Sequence, residues 1–248
     1  MNLIGFNCNF SFYIGDISKI QFLFISYASS PKALNSFLFM ILTYLIIAIT
    51  VITSVYAMNN DLLKDKLMFN AYKINHKKEW YRFFSHGLIH ADFPHLIFNM
   101  YSLYIFSGAV EYYYKADAIF GSKGPLFFIL LYVGGLAMSS LCSYEKRRND
   151  IWYNVLGDSG AVSAVIFAFI ALAPTKELGL LFVPGLDVPA YLFGLIFLGI
   201  EYYLARRGNS NIGHDAHFWG AVFGILFTFI LKPSLFSNFI SQITGGRL

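Results

Sequence analysis

SFLFMILTYLIIAITVITSVYA, from Ser36 to Ala57, runs for 22 residues without a charge. At about 1.5 Å of rise per residue such a run spans the roughly 30 Å of a bilayer's hydrocarbon core. Other runs follow it. Phe93–Val110 and Pro125–Cys142 are apolar and each is closed by a polar stretch, and Ser159–Pro174 is stopped by its proline. Within Leu178–Ala205, Pro184, Gly185, Asp187 and Pro189 break the pattern, so a helix is expected after Pro189. Ala216–Leu231 ends at Lys232-Pro233. The pattern predicts six spans in an all-α, polytopic membrane protein.

Composition agrees. Of 248 residues, 57% are hydrophobic and 13% charged, with a mean hydropathy of +0.57. A soluble domain carries about 25% charged residues and could not cover this much apolar surface. The 27 Phe and 17 Tyr exclude disorder, and with Cys8 and Cys142 as the only cysteines there is no disulfide scaffold. Lys and Arg total 18 for a net charge of +4, scattered without a basic block, so nucleic acid is not an expected partner. Residues 1–35 are apolar but interrupted by Asn7, Asn9, Asp16, Lys19 and Lys32, which does not fit a cleaved signal peptide. They form an N-terminal extension with no assigned role, followed by a membrane domain over 36–233 and a short tail over 234–248. No oligomeric state is specified.

Two spans are short, Ser159–Pro174 and Ala216–Leu231. Each follows a polar, Gly-containing segment, Asn154-Val-Leu-Gly-Asp158 and Asn211-Ile-Gly-His-Asp215. Non-helical backbone at membrane depth is tolerated only beside protein or a water-filled cavity, so the two helices are expected to share one. The long connection Met58–Asp92 mixes five lysines with Phe69, Tyr72, Trp80, Tyr81, Phe83 and Phe84, a blend suited to the membrane interface.

Ionisable groups near that depth are candidates for function. His86, His90, His95, His214 and His217 cluster at span ends, and His95 and Asn99 share one helical face. Taken singly, each histidine reads more simply as a packed polar residue; it is the cluster that points to chemistry. Gly157-Asp-Ser-Gly160 opens the fourth span, where exposed amides at a helix N-terminus suit a developing oxyanion. Gly160, Ala164 and Ala168 then repeat every four residues, answered in the sixth span by Gly220 and Gly224 with His217 on the same face. Close packing of these small-residue stripes brings Ser159 and His217 within hydrogen-bonding reach, as a nucleophile and its base require.

With these residues in view, the sequence resembles the rhomboid family of intramembrane serine proteases. Arg82-Phe-Phe-Ser-His-Gly-Leu-Ile-His90, His95-Leu-Ile-Phe-Asn99 and Gly108-Ala-Val-Glu111 resemble the family's first loop and second helix. Gly157-Asp-Ser-Gly160 resembles its nucleophile segment, and Ala216-His217-Phe-Trp-Gly220-Ala-Val-Phe-Gly224 its sixth helix. The resemblance implies a six-helix rhomboid-like bundle that cleaves membrane-anchored substrates within or near their transmembrane helix. It implies Ser159 as nucleophile, His217 as base, no acidic third member, and His95 and Asn99 as oxyanion donors. Gly157, Gly160, Gly220, Gly224, Arg82 and Glu111 would be motif positions with structural roles. No cofactor or metal is required, and the partners are the bilayer and transmembrane substrates, in a bacterial inner (plasma) membrane. Three positions depart from the pattern. Ser163 stands where some members place a tyrosine against the base, Tyr81 replaces a tryptophan, and Asp158 adds a carboxylate beside the nucleophile.

With six spans, the side holding both termini carries seven Lys and Arg and the other side eleven. The positive-inside rule favours the eleven as cytoplasmic, whereas the family places the termini there. Six of the eleven lie in the interfacial first loop, where the rule is least clean, so the family orientation is adopted. Rival readings are a catalytically silent relative that binds membrane helices, a metal-dependent protein built on His86, His90 and His95, and a proton-relay transporter. No H-E-x-x-H motif and no inverted repeat supports the last two.

Overall fold

The computed structural model describes residues 40–180, 183–207 and 213–245. The expected extension over 1–35, the start of the first span at 36–39, and positions 211–212 lie outside the described residues. α1 (Ile41–Met58) is followed by α2 (Asp61–Leu67), β1 (Phe69–Asn70), α3 (Ala71–Lys77), α4 (Arg82–Ser85) and a 3-10 turn, His86–Leu88. Then come α5 (Phe93–Lys115), α6 (Gly124–Arg147), β2 (Asn154–Val155) and α7 (Ser159–Leu172). A hairpin of β3 (Glu177–Leu180) and β4 (Val183–Pro189) leads to α8 (Ala190–Arg207), α9 (His214–Leu231) and α10 (Ser234–Thr244).

Every expected span is a helix, in the order α1, α5, α6, α7, α8 and α9. By length and apolarity alone, three helices among the described residues suffice to cross a membrane: α1, α6 with the turn before it, and α9. The others carry the functional polarity or are short. α5 runs past the expected end at Val110 because Glu111 is not a terminus. Its buried carboxylate accepts from Thr43 N (3.0 Å) and Thr43 Oγ1 (2.6 Å), closing an open amide in the first turn of α1. α8 begins at Ala190, immediately after Pro189, as a proline at a helix boundary requires. The expected tail opens with α10, whose Leu235 is buried in the main core and whose Phe236 packs against Phe229.

α7 is the axis of the bundle. Its 14 residues are about 21 Å long, some 9 Å short of a hydrocarbon core. All but three of them are buried, the pattern of a helix enclosed on every side. Against it lies α9, so close that a Cβ on Gly220 would overlap the carbonyl of Gly160, and one on Gly224 the carbonyl of Ala164. The outer faces are apolar and exposed, among them Leu45, Ile52, Ile97, Leu195 and Ile230, as lipid contact requires.

The long first loop is a built element. Phe69, Ala71, Ile74 and Phe83 form its small core, against Tyr144, Tyr153 and Val155. β1 pairs antiparallel with β2, Phe69 opposite Val155 and Asn70 opposite Asn154, which fastens the loop to the segment before α7. Arg82 is buried beneath it. Its Nη1 donates to the carbonyls of Asp65 and Met68, both at 2.7 Å, and its Nε to Glu79. Trp80, Tyr81 and Phe84 remain exposed on the outer face, suiting an interfacial position.

Candidate active site

A cavity of about 620 Å³ opens above the N-terminus of α7, lined among others by His95, Asn99, Gly157, Ser159, Gly160, Glu201 and His217. Each reaches it for a local reason. Asp92 caps α5, accepting from His95 N at 2.8 Å, and so begins the helix where His95 and Asn99 face inward. Asn99 Nδ2 donates to the His95 carbonyl at 3.0 Å, leaving a second N–H for the cavity. Gly157 turns the chain at φ +106°, a conformation that favours glycine, and any side chain there would strike the His95 ring. The Gly157 amide is taken by the His86 carbonyl at 2.9 Å, so the donors left for a ligand are the first amides of α7.

Ser159 Oγ and His217 Nε2 lie 2.8 Å apart, joined across the α7–α9 contact. A serine hydroxyl on an imidazole acceptor is the arrangement nucleophilic acyl transfer needs. The aromatic beside His217 is Phe197 from α8, with ring centroids 6.5 Å apart; Ser163, on α7, is buried.

Sequence reasoning missed one member of the cluster. Glu201 of α8 is buried, with Oε1 3.2 Å from His217 Nδ1 and Oε2 2.7 Å from His214 Nδ1. The available signal was a single carboxylate inside the apolar run of α8, and intramembrane carboxylates call for a named partner. Glu201, His214 and His217 also converge as possible metal ligands, with donor atoms within 4.8 Å of one another. His86, His90 and His95 do not converge in this way.

His86 and His90 serve the scaffold. His86 Nδ1 is 3.1 Å from the Gly157 carbonyl, to which it can only donate, and Nε2 is 3.0 Å from Ser140 Oγ. Burial pushes the His86 pKa below the ordinary imidazole value, which keeps the ring neutral and suits this pairing. His90 bridges Ser54 of α1 (3.0 Å) and Asp158 (3.1 Å). Asp158 turns away from the cavity and accepts from Tyr132 Oη at 2.6 Å. The carboxylate beside Ser159 is therefore an anchor for the loop, tying α6 and the first loop to the start of α7. Asp158→Ala leaves Tyr132 and His90 without their buried partner and is expected to cost about 3–5 kcal/mol. Thermal unfolding in detergent checks this; a midpoint equal to wild type refutes the anchoring role.

Comparison with known proteins places this geometry in a family. Residues 77–234 match the model of the Rhomboid domain, which covers the first loop from α4 onward and α5–α9. The RHOMBOID-like protein 12, mitochondrial, of Arabidopsis thaliana is 32% identical over 53% of this chain and 40% of its own length. Rhomboid-related protein 1 of Caenorhabditis elegans is 28% identical over 66% of this chain and 44% of its own. The rhomboid protease GlpG of Haemophilus influenzae is 25% identical over 65% and 74%. The chain thus spans less than half the length of the plant and nematode relatives. A domain match over well over half the chain, on a helical membrane bundle, makes this protein a member of the rhomboid family.

Proposed function

We propose that the protein is an intramembrane serine endopeptidase that cleaves membrane-anchored proteins within or near their transmembrane helix. The observation that carries this reading is the 2.8 Å contact between Ser159 Oγ and His217 Nε2 at the floor of the cavity. A substrate helix enters from the bilayer and unwinds locally, exposing a peptide carbonyl. Ser159 Oγ attacks the carbonyl carbon as its proton passes to His217 Nε2. The oxyanion is held by His95, Asn99 and the first amides of α7. Collapse breaks the C–N bond, and the leaving amine takes the proton from His217. Water, deprotonated by His217, then hydrolyses the acyl-enzyme and restores Ser159. No step calls for a metal. The location that goes with this reading is a bacterial inner membrane, with both termini in the cytoplasm as in the family orientation.

The test is reaction of detergent-solubilised protein with a fluorophosphonate probe, which reports only an activated serine. Labelling is expected in wild type and lost in Ser159→Ala and in His217→Ala. A folded wild type that does not label would favour a silent relative that binds membrane helices.

A further inference from the structure

The serine-protease reading assigns proton transfer to two residues, Ser159 and His217, but the structure joins a third to them. Glu201 extends from α8 to the face of His217 opposite Ser159. The order in space is Ser159 Oγ, His217 Nε2, His217 Nδ1, Glu201 Oε1, with separations of 2.8 Å and 3.2 Å across the two contacts. Its second oxygen is held by His214 Nδ1 at 2.7 Å, one turn earlier on α9. Resting on the serine-protease reading above, we propose that Glu201 is a positioning residue for His217, which makes the site a Ser159–His217–Glu201 relay with His214 as the clamp on the carboxylate.

The argument is one of proton inventory. An ionised carboxylate only accepts hydrogen bonds. A neutral imidazole carries one N–H, so donation from Nδ1 to Glu201 leaves Nε2 as a lone pair aimed at the Ser159 hydroxyl. That is the tautomer a general base needs, and the opposite tautomer would place N–H against O–H. The same carboxylate stabilises the imidazolium formed during attack, and the second histidine keeps it from rotating away. Burial strengthens both effects, because little water competes for these atoms. α8 has no other acidic residue among Ala190–Arg207, so the carboxylate sits there against the helix's apolar character. An unpaired carboxylate at that depth is costly, and the two imidazoles are what offset the cost. Phe197, one turn earlier on α8, contacts the ring itself, so one helix supplies both a wall for His217 and its orientation.

The experiment compares wild type, Glu201→Gln and Glu201→Asp for cleavage of a transmembrane substrate in proteoliposomes, with fluorophosphonate labelling alongside. Glu201→Gln is expected to lower kcat on the order of 10²–10⁴-fold with KM unchanged, because base chemistry and not substrate binding is impaired. Glu201→Asp keeps the charge one methylene back and is expected to recover at least tenfold of that loss. Folded Glu201→Gln with wild-type kcat overturns the proposal, and so does a Glu201→Asp variant no better than Glu201→Gln. Activity lost to EDTA and restored by Zn²⁺ overturns it too, since the three groups would then be metal ligands. A wild type without Ser159-dependent labelling fails the protease reading as a whole, whereas a labelled, active wild type with an indifferent Glu201→Gln fails this proposal alone. A measurement on the wild-type fold covers the case in which the variants do not fold: the ¹⁵N spectrum of histidine-labelled protein, with His217 assigned by its loss in His217→Asn. The proton is expected on Nδ1, and the Nε2–H tautomer refutes the relay.

Discussion

Ser159→Ala and His217→Ala are each expected to lower the turnover of a membrane-anchored substrate by on the order of 10⁴–10⁶-fold, and the double variant is expected to be no worse than either single one. The non-additivity follows from the geometry. In the proposed mechanism Ser159 Oγ is a weak nucleophile until His217 Nε2, 2.8 Å away, removes its proton, so deleting either atom deletes the same event. What survives is binding and the proposed oxyanion donors His95, Asn99 and the α7 amides, none of which either substitution touches. Stability should change little by comparison. Ser159 faces the cavity, and losing one hydrogen bond there costs about 1 kcal/mol. Single-turnover cleavage in proteoliposomes, read beside thermal midpoints, checks both halves. A His217→Ala protein within tenfold of wild type, or a double variant far below both singles, contradicts a coupled pair.

The parts of this fold that could be read from the sequence are those set by local composition. Charge-free runs located α1, α6 and α9, and Gly220 and Gly224 at four-residue spacing identified the face that meets Gly160 and Ala164. The parts that could not be read are polar groups whose partners lie far along the chain. Glu111 looks like the end of a span until Thr43, 68 residues earlier, is seen to satisfy it. Asp158 looks like a neighbour of the nucleophile, yet His90 and Tyr132 pull it to the other side of the loop. Glu201 escaped for the same reason, since nothing local says which way α8 rotates toward α9. The two-residue pairing of β1 with β2 is likewise a tertiary event, too short to leave a period in the sequence. For the three carboxylates the residue type signalled that a partner must exist, and only packing against distant parts of the chain identified it.

Gly220→Ala is expected to be among the most damaging single-methyl changes in the molecule, and Gly199→Ala, 21 positions earlier, among the least. The added Cβ at Gly220 would fall on the carbonyl of Gly160, and the same is true of Gly224 against Ala164. A side chain in the way can change rotamer, but these are backbone atoms inside a hydrogen-bonded helix, so α9 must move bodily from α7. Overpacking of this kind costs about 3 kcal/mol or more, the upper end of what core insertions show. The displacement acts on function as well, because α7 carries Ser159, α9 carries His217, and their contact is the one that closes at 2.8 Å. A shift of about 1 Å is enough to lose roughly 10²-fold in rate, so even folded Gly220→Ala protein should label slowly with a fluorophosphonate. At Gly199 on α8 the new methyl meets nothing within 4 Å, and an exposed helical glycine gains about 0.5–1 kcal/mol on becoming alanine. Thermal midpoints of the two variants should therefore move in opposite directions. If Gly220→Ala unfolds with wild type, the α7–α9 contact does not hold the bundle together, and the register that brings Ser159 to His217 must be fixed elsewhere.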